Sequence, residues 1–510
     1  MGLYLGIDAG TQSIKGIIID SRTGKFTAPV SVHFGRELPQ YRSPDGFLPD
    51  SDPAIRHADP AMWLDALDML LSKMRKDGLP LEQVCGISGS GQQHGTVYLN
   101  RRFPEILRAL TPEKQLSEQL KSAFSRRTAP IWMDASTGRE CTELREKFGK
   151  SIREKTGSDA AERFSGPQIM KFASGHPREW EDTETVHLVS SFLASVLAGE
   201  NMPIDCGDGA GMNLLNLKTL SWDREIAEFI APDLVSKLPP CVPSSQTAGK
   251  LSPYFAKYGL RPGIPVCVWS GDNPNSLVGS GGSAPGCAVI SLGTSDTFFG
   301  SIRSFEEAPR NFGHVFGNPA GGFMTLICFT NGSLTRDHFR NRYNLSFREF
   351  DDAVQNAEPG KYQLLPYLFP ESTPVVPTPG IRCNFDPEKV SPGVMIRALL
   401  ESQILTMRLH SELKRLPERI RLTGGASASP ALRKIIADVF QAETETVSSA
   451  ETAALGAAMR AANGIEGVPF ETLTEKFCSI QETIHPDHSL ADVYEKALEA
   501  YRVLLNGNRS

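Results

Sequence analysis

The sequence contains no Cys-x-x-Cys pair, although nine cysteines are scattered from Cys85 to Cys478. An odd count without paired spacing excludes a disulfide framework and a cysteine zinc cluster, and it fits thiols kept reduced. Positive charge is also short: 53 Lys and Arg stand against 59 Asp and Glu, a formal charge of −6. That balance excludes a nucleic-acid coat or a polybasic membrane anchor, while leaving room for a local anion site. No apolar run approaches the roughly 18 residues of a membrane-spanning helix. The opening MGLYLGIDAG lacks the basic segment of a secretory signal, and Gly6 stands where a myristoylation signal needs Ser or Thr. The common nucleotide motifs are missing too. There is no Gly-x-x-x-x-Gly-Lys-Ser/Thr, and no Gly-x-Gly-x-x-Gly after a strand with an acid downstream. The expectation is a soluble, cytoplasmic protein that binds neither nucleic acid nor membrane.

What is present is ordinary globular material, 40% hydrophobic and 22% charged over 510 residues, long enough for two large domains. The first twenty residues read as a β-hairpin, Leu3–Ile7 and Gly16–Asp20, around the turn Asp8-Ala9-Gly10-Thr11-Gln12-Ser13-Ile14-Lys15. A Pro-, Asp- and Arg-rich loop runs from about Gly35 to Pro60. Asp59-Pro60 then opens a helix whose apolar residues, Trp63 to Met74, recur at helical spacing. Val84–Ser88 reads as a strand running into Gly89-Ser90-Gly91-Gln92-Gln93-His94-Gly95. Helices are expected at Gly138–Phe148 and Val186–Leu197, the latter closed by Gly199. A strand at Ile264–Trp269 leads to a helix that Asn273 should cap, with Pro274 at its first position. Gly279–Gly286 is the best linker candidate. After it the opening pattern returns: strand Cys287–Leu292, turn Gly293-Thr294-Ser295-Asp296, strand Thr297–Gly300. We read this as an internal duplication. The chain ends in a βαβα run: strand Arg419–Leu422, turn Thr423–Ser427, a helix capped by Ser429 through Phe440, and strand Glu445–Val447. A capping-box spacing, Ser448 and Glu451, starts an Ala-rich helix ending near Gly464.

Four constellations can carry chemistry. In Asp8–Ser13, turn amides and hydroxyls are donors for phosphate oxygens, Gly10 admits a ligand close to the backbone, and Asp8 could hold water around a Mg²⁺. Alone this is better read as a plain turn; its recurrence at Gly293-Thr294-Ser295 shifts the balance toward phosphate binding. Gly424-Gly425-Ala426 lies between a strand and a helix start, where a nucleotide can rest on bare backbone, although a tight connection explains it equally. Asp272 at a helix start is ordinarily a cap; ionised in a cleft, it would accept a proton from a hydroxyl nucleophile. Gln92-Gln93-His94 and Asp134 offer the mixed donors and acceptors that polyol hydroxyls need, where a core histidine and a helix cap are the plainer explanations.

In this order the motifs resemble the FGGY family of carbohydrate kinases, and within it the eukaryotic-type xylulokinase branch. The resemblance runs from Gly6–Ser13 through Gly91–Gly95, Trp132-Met133-Asp134, Gly271-Asp272-Asn273 and Ser291–Ser295. It continues through Thr423–Ala426 to Ala454–Ala458. It implies an α/β fold of two actin-like ATPase (ribonuclease H-like) domains, 1–283 and 284–510, with an active-site cleft between them. It makes Asp272 the general base and places Mg²⁺ near Asp8 and Asp272. ATP phosphates are assigned to Gly10, Thr11, Gln12, Ser13, Lys15, Gly293, Thr294 and Ser295, and adenosine to Gly424, Gly425 and Ala426. The sugar-side candidates are Gln93, His94, Asp134, Asp272 and Asn273. The implied reaction is ATP-dependent phosphorylation of a ketopentose, with D-xylulose first. Kinases for sedoheptulose, ribulose or gluconate, and a sugar-independent actin-like ATPase, are the alternatives. The resemblance also allows a homodimer. Three departures bear on the sugar: Gln93 stands where bacterial relatives carry Met, Pro370-Glu371-Ser372-Thr373-Pro374 lacks the arginine of the related loop, and the insertion between Gly35 and Pro60 is unusual.

Overall fold

The computed structural model describes residues 2–447 and 451–507. The chain divides into two compact units, 1–279 with 315–323 and 449–478, and 280–314 with 324–448 and 479–510. The main junction falls at the start of the Gly-rich stretch 279–286. Two segments from the second half of the chain belong to the first unit, among them the Ala-rich helix.

In the first unit the hairpin is longer than expected: β1 (Leu3–Ala9) and β2 (Ser13–Asp20) pair antiparallel, with Asp8 opposite Lys15. Helix α1 (Pro60–Lys76) starts where expected, its first turn capped by the Asp59 carboxylate accepting from the Ala61 N–H at 2.9 Å. Strand β3 (Val84–Gly91) lies parallel to β1, with Asp8 opposite Ser90 and Ala9 opposite Gly91. The short strand Ser270–Gly271 lies parallel to β3 on its other side, with Gly271 opposite Gly91. Three parallel strands therefore end level with one another, and the chain leaves each at its carboxyl end. That edge is where α/β sheets bind ligands.

Helix α2 (Asp272–Gly279) begins directly at the last of these ends. Asn273 does not cap it, because the helix already includes Asp272; its side chain turns to Gln93 instead. The helix Thr452–Glu466 covers β1 and α2 at very short range. A Cβ on Gly6 would stand 2.1 Å from the Ala454 carbonyl oxygen, and one on Gly456 would stand 1.9 Å from that of Asn275. Only glycine fits at those two crossings. Ser448, half of the expected capping box, lies outside the described residues. A further correction concerns Val186–Leu188. These residues belong to a strand, Thr183–Leu188, and the helix runs from Val189 to Ala198, with Gly199 in the left-handed conformation closing it. The stretch from Val186 to Leu197 is buried at every position, so periodicity could not separate a buried strand from a buried helix.

In the second unit β4 (Cys287–Leu292) and β5 (Asp296–Ile302) form the second hairpin. β6 (Arg419–Thr423) lies parallel to β4, and Glu443–Val447 lies parallel to β6. A hairpin whose first strand also pairs with a later parallel strand thus occurs in both units, as the duplication requires. Between β6 and the helix Pro430–Phe440 comes a short 3-10 turn, Gly425–Ala428, and Ser429 caps the helix by accepting from the Leu432 N–H at 3.1 Å. All nine cysteines are free thiols. Among the described residues no helix is long and apolar enough to cross a membrane.

Candidate active site

The expected site residues form two groups, one in each unit. In the first, the level strand ends bring Asp8, Gln93, His94, Asp272 and Asn273 together. Asp8 accepts a hydrogen bond from the Ser90 hydroxyl across the β1–β3 pairing. Burial pushes its carboxyl up to about 6, against the pull of Ser90 and Lys15. Asp272 is raised further, to about 7, first by burial and then by the negative charge of Asp8. Both the backbone and the side-chain nitrogen of Asn273 reach Asp272 Oδ1, at 2.9 and 3.2 Å. Backbone N–H groups of Gln93 and of Asp272 itself also donate toward this carboxylate, and among the described residues no side chain donates to Oδ2.

His94 is 5% exposed and stacks on Phe164 with ring centroids 4.3 Å apart. Its Nδ1 lies 2.8 Å from the Gly211 carbonyl oxygen. A carbonyl can only accept, so Nδ1 carries the proton and Nε2 is a bare acceptor. Burial lowers the imidazole to about 3, with the positive charge of Arg163 adding to the effect. The ring is therefore neutral at physiological pH. Its backbone takes a left-handed φ of 70°, and its carbonyl is held by the hydroxyls of Thr96 and Ser165 at 2.9 and 3.2 Å. Gly211 is required there, since a Cβ would stand 2.7 Å from Nδ1.

Asp134 is 1% exposed, and both its oxygens are engaged within the protein. Oδ1 accepts from the Ser136 N–H, the Ser136 hydroxyl and Gln168 Nε2, at 3.0, 2.6 and 2.7 Å. Oδ2 accepts from the Arg56 N–H at 2.9 Å, and His57 Nε2 lies 3.4 Å away. These partners hold its carboxyl well below the usual range despite burial. Asp134 ties a loop to a helix through both of its oxygens.

At the first turn, Gly10 N–H donates to the Ser13 carbonyl at 3.0 Å. Lys15 is paired with Glu451 at 2.7 Å. Thr11 Oγ1 accepts from the Trp132 indole at 2.8 Å. That indole is 43% exposed.

In the second unit, Thr294 and Ser295 are exposed at the tip of the β4–β5 hairpin. Beside it, Arg336 clasps Asp296 with two hydrogen bonds of 2.7 and 2.8 Å. The Ser333 N–H donates to the Gly293 carbonyl at 2.9 Å. Gly424 has φ 84°, and a Cβ there would meet the Leu292 carbonyl at 2.5 Å, so the turn packs tightly on β4. A Cβ on Gly425 would meet nothing within 4 Å. Gly425 and Ala426 line a cavity of about 400 Å³, with Arg340, Phe347, Asp351 and Leu432 among its other walls. That volume lies in the range of small-molecule sites, roughly 300–1,000 Å³. The Arg340 guanidinium lies 4.3 Å from the centre of the Phe347 ring, which is 73% exposed.

Sequence reasoning missed Ser90, Phe164, Arg163 and the Arg340–Phe347 wall. The first depends on a parallel pairing 82 residues apart, which no local pattern reveals. Phe164 and Arg163 show their bearing on the site only once the fold stacks the Phe164 ring on His94 and brings the Arg163 charge near it.

Residues 3–279 match the N-terminal domain, and residues 288–464 the C-terminal domain, of the FGGY family of carbohydrate kinases. The chain is 38% identical to Xylulose kinase 2 of Arabidopsis thaliana over 488 residues, covering 91% of this chain and 87% of that protein. It is 37% identical to Xylulose kinase of Rattus norvegicus over 521 residues, covering 98% and 96%. Among solved structures, the xylulose kinase from Rhodospirillum rubrum superposes with a TM-score of 0.83 at 19% identity, covering 99% and 98%. The gluconate kinase from Lactobacillus acidophilus superposes at 0.78 and 20%, with the same coverage.

Proposed function

The chain belongs to the FGGY family of carbohydrate kinases, and we propose that it transfers the terminal phosphoryl group of ATP to a hydroxyl of D-xylulose. The observation that carries the reaction type is Asp272: a carboxylate at the level strand ends, raised to about 7, with Oδ1 fixed by Asn273 and backbone N–H groups of Gln93 and Asp272 turned toward the carboxylate. A general base works best when its pKa lies near the operating pH. Asp272 would take the proton of the attacking sugar hydroxyl on Oδ2. The bare Nε2 of neutral His94 would accept from a second hydroxyl, and Gln93 and Asn273 would frame the same region. Asp134 would hold the loop that closes this wall.

The nucleotide supplies the phosphoryl group, and Mg²⁺ neutralises its charge. The residues fit both. Mg²⁺ keeps several waters and needs only one or two carboxylates beside phosphate, and Asp8 and Asp272 are a pair with no cation clasped between them. Among the described residues no group of three or more His, Cys, Asp or Glu is placed to hold a metal without such outside ligands. The exposed hydroxyls of Thr294 and Ser295, the first turn Gly10–Ser13 and Lys15 would bind phosphate oxygens. The cavity at Gly425 and Ala426 would take the nucleoside. Protein groups here position and neutralise, since a loose phosphoryl-transfer transition state needs little covalent help. The free thiols support a reducing, cytoplasmic setting, and the family resemblance supports a homodimer.

The test is ADP release with Mg·ATP against D-xylulose, L-xylulose, D-ribulose, L-ribulose, sedoheptulose, gluconate, glycerol and no sugar. A response to D-xylulose above all others is expected. A stronger response to another sugar would replace the substrate and keep the chemistry; a rate indifferent to sugar would overturn the kinase reading. Asp272→Asn should keep the fold and lower turnover by about 10²–10⁴-fold, the scale of a general base.

A further inference from the structure

Behind the sugar-side wall of the first unit lie two more carboxylates, Asp205 and Asp208, both fully buried. Asp205 is satisfied. Ser244 donates to one oxygen, the Asp208 N–H donates to the other at 3.2 Å, and the buried cation Arg460 balances its charge. Asp208 is different. Its Oδ2 lies 2.5 Å from the Ser190 hydroxyl, in the first turn of the helix Val189–Ala198. Its Oδ1 is buried without a hydrogen bond of good geometry, and so is Nε2 of Gln93, the side chain that donates toward it. The far end of that amide is firmly placed: Gln93 Oε1 accepts from Asn273 Nδ2 at 2.7 Å, and the same nitrogen reaches Asp272 Oδ1 at 3.2 Å. Gly271 lets this happen, since a Cβ there would stand 2.4 Å from Gln93 Cγ.

We propose that Asp208 is a positioning residue for the phosphoryl transfer: anchored by Ser190, it orients the Gln93 amide, which sets the Asn273 side chain and hence which oxygen Asp272 presents. Burial, then the charges of Asp205 and Asp272, hold the Asp208 carboxyl well above the usual range. A neutral carboxyl would donate to Ser190 from one oxygen and accept from Gln93 on the other, giving the amide a single orientation. A buried network of this kind is worth having only when every member is satisfied.

The inference rests on the assignment of Asp272 as base, and the test keeps the two apart by using whichever sugar the wild-type protein turns over best. Asp208→Leu should lower kcat by about 10–100-fold, the scale of a displaced catalytic group, and raise KM for the sugar, with KM for ATP within about twofold. Asp208→Asn, which can make the same two hydrogen bonds, should restore most of the loss. In a double-mutant cycle, Asp208→Leu with Gln93→Leu should fall no more than about threefold below the worse single variant, because both act along one path. Effects that multiply would overturn the proposal. So would a Leu variant that is less stable yet turns over normally per folded molecule, or an Asn variant no better than Leu. Should Asp208→Leu not fold, Ser190→Ala carries the same test with a smaller loss. A crystal structure of either variant gives a readout free of activity: the Gln93 and Asn273 amides are expected to turn, and finding them unmoved would refute the linkage.

Discussion

At the first hairpin turn the acid, Asp8, sits on the incoming strand, buried beside the Ser90 hydroxyl and raised by the loss of water. At the second the acid, Asp296, sits on the outgoing strand, clasped by Arg336, which is itself held by Gln403 and Ser333 at 3.0 and 2.9 Å. Both turns show a glycine, a threonine and further hydroxyl or amide groups at the tip. The first rests its acid on a neutral hydroxyl. The second neutralises its acid with an arginine. One backbone shape thus serves two electrostatic purposes, decided by which strand bears the acid.

Breaking the first turn should hurt chemistry most. Asp8→Asn is expected to lower kcat by about 10²–10³-fold, the range seen when a preorganised electrostatic contact is lost, with no fall in thermal midpoint. An equal loss of stability would make Asp8 a structural group. Breaking the second should do the reverse. Arg336→Met strands Asp296 and should cost about 3–5 kcal/mol in urea unfolding. Adding Asp296→Asn should recover much of that; no recovery would mean that Arg336 matters through Gln403 rather than Asp296.

A pH scan sharpens the contrast further. Asp8 binds its proton more tightly folded, at about 6 against an ordinary 3.8. Its contribution is therefore fully present below about pH 4 and lost as pH rises through about 6. Metal-free protein should lose on the order of 2–3 kcal/mol through this group over that window. Asp8→Asn should flatten that part of the curve; an unchanged curve would deny the shift. The smallest effect belongs to the rim. Lys15 and Glu451 are partly exposed, so Lys15→Met should change stability by less than about 1 kcal/mol. A severalfold rise in KM for ATP would show Lys15 leaving Glu451 for phosphate, and an unchanged KM would remove it from the phosphate site.

Both hairpins, the α1 helix with its Asp59 cap and the capped Pro430–Phe440 helix could be read from sequence, because turn residues and caps are local signals. Asp272 and His94 were legible as candidates for the same reason: each lies beside glycines at a strand end. What could not be read is pairing at long range. The saturation of Asp134 comes from Arg56 and Gln168, 78 and 34 residues away. The engagement of Lys15 comes from Glu451, 436 residues away. The Val186–Leu188 strand was lost because a segment buried on every side has no period to betray it.

The crossing of α2 over the helix Thr452–Glu466, closed by Gly279 and Gly456, has a bearing on the order of biosynthesis. The helix that bears Asp272 rests on a segment that leaves the ribosome only after nearly all of the second unit. The site of the first unit is thus completed last. A fragment ending at residue 283 would contain Asp8, His94 and Asp272, yet it would lack the surface that seats them.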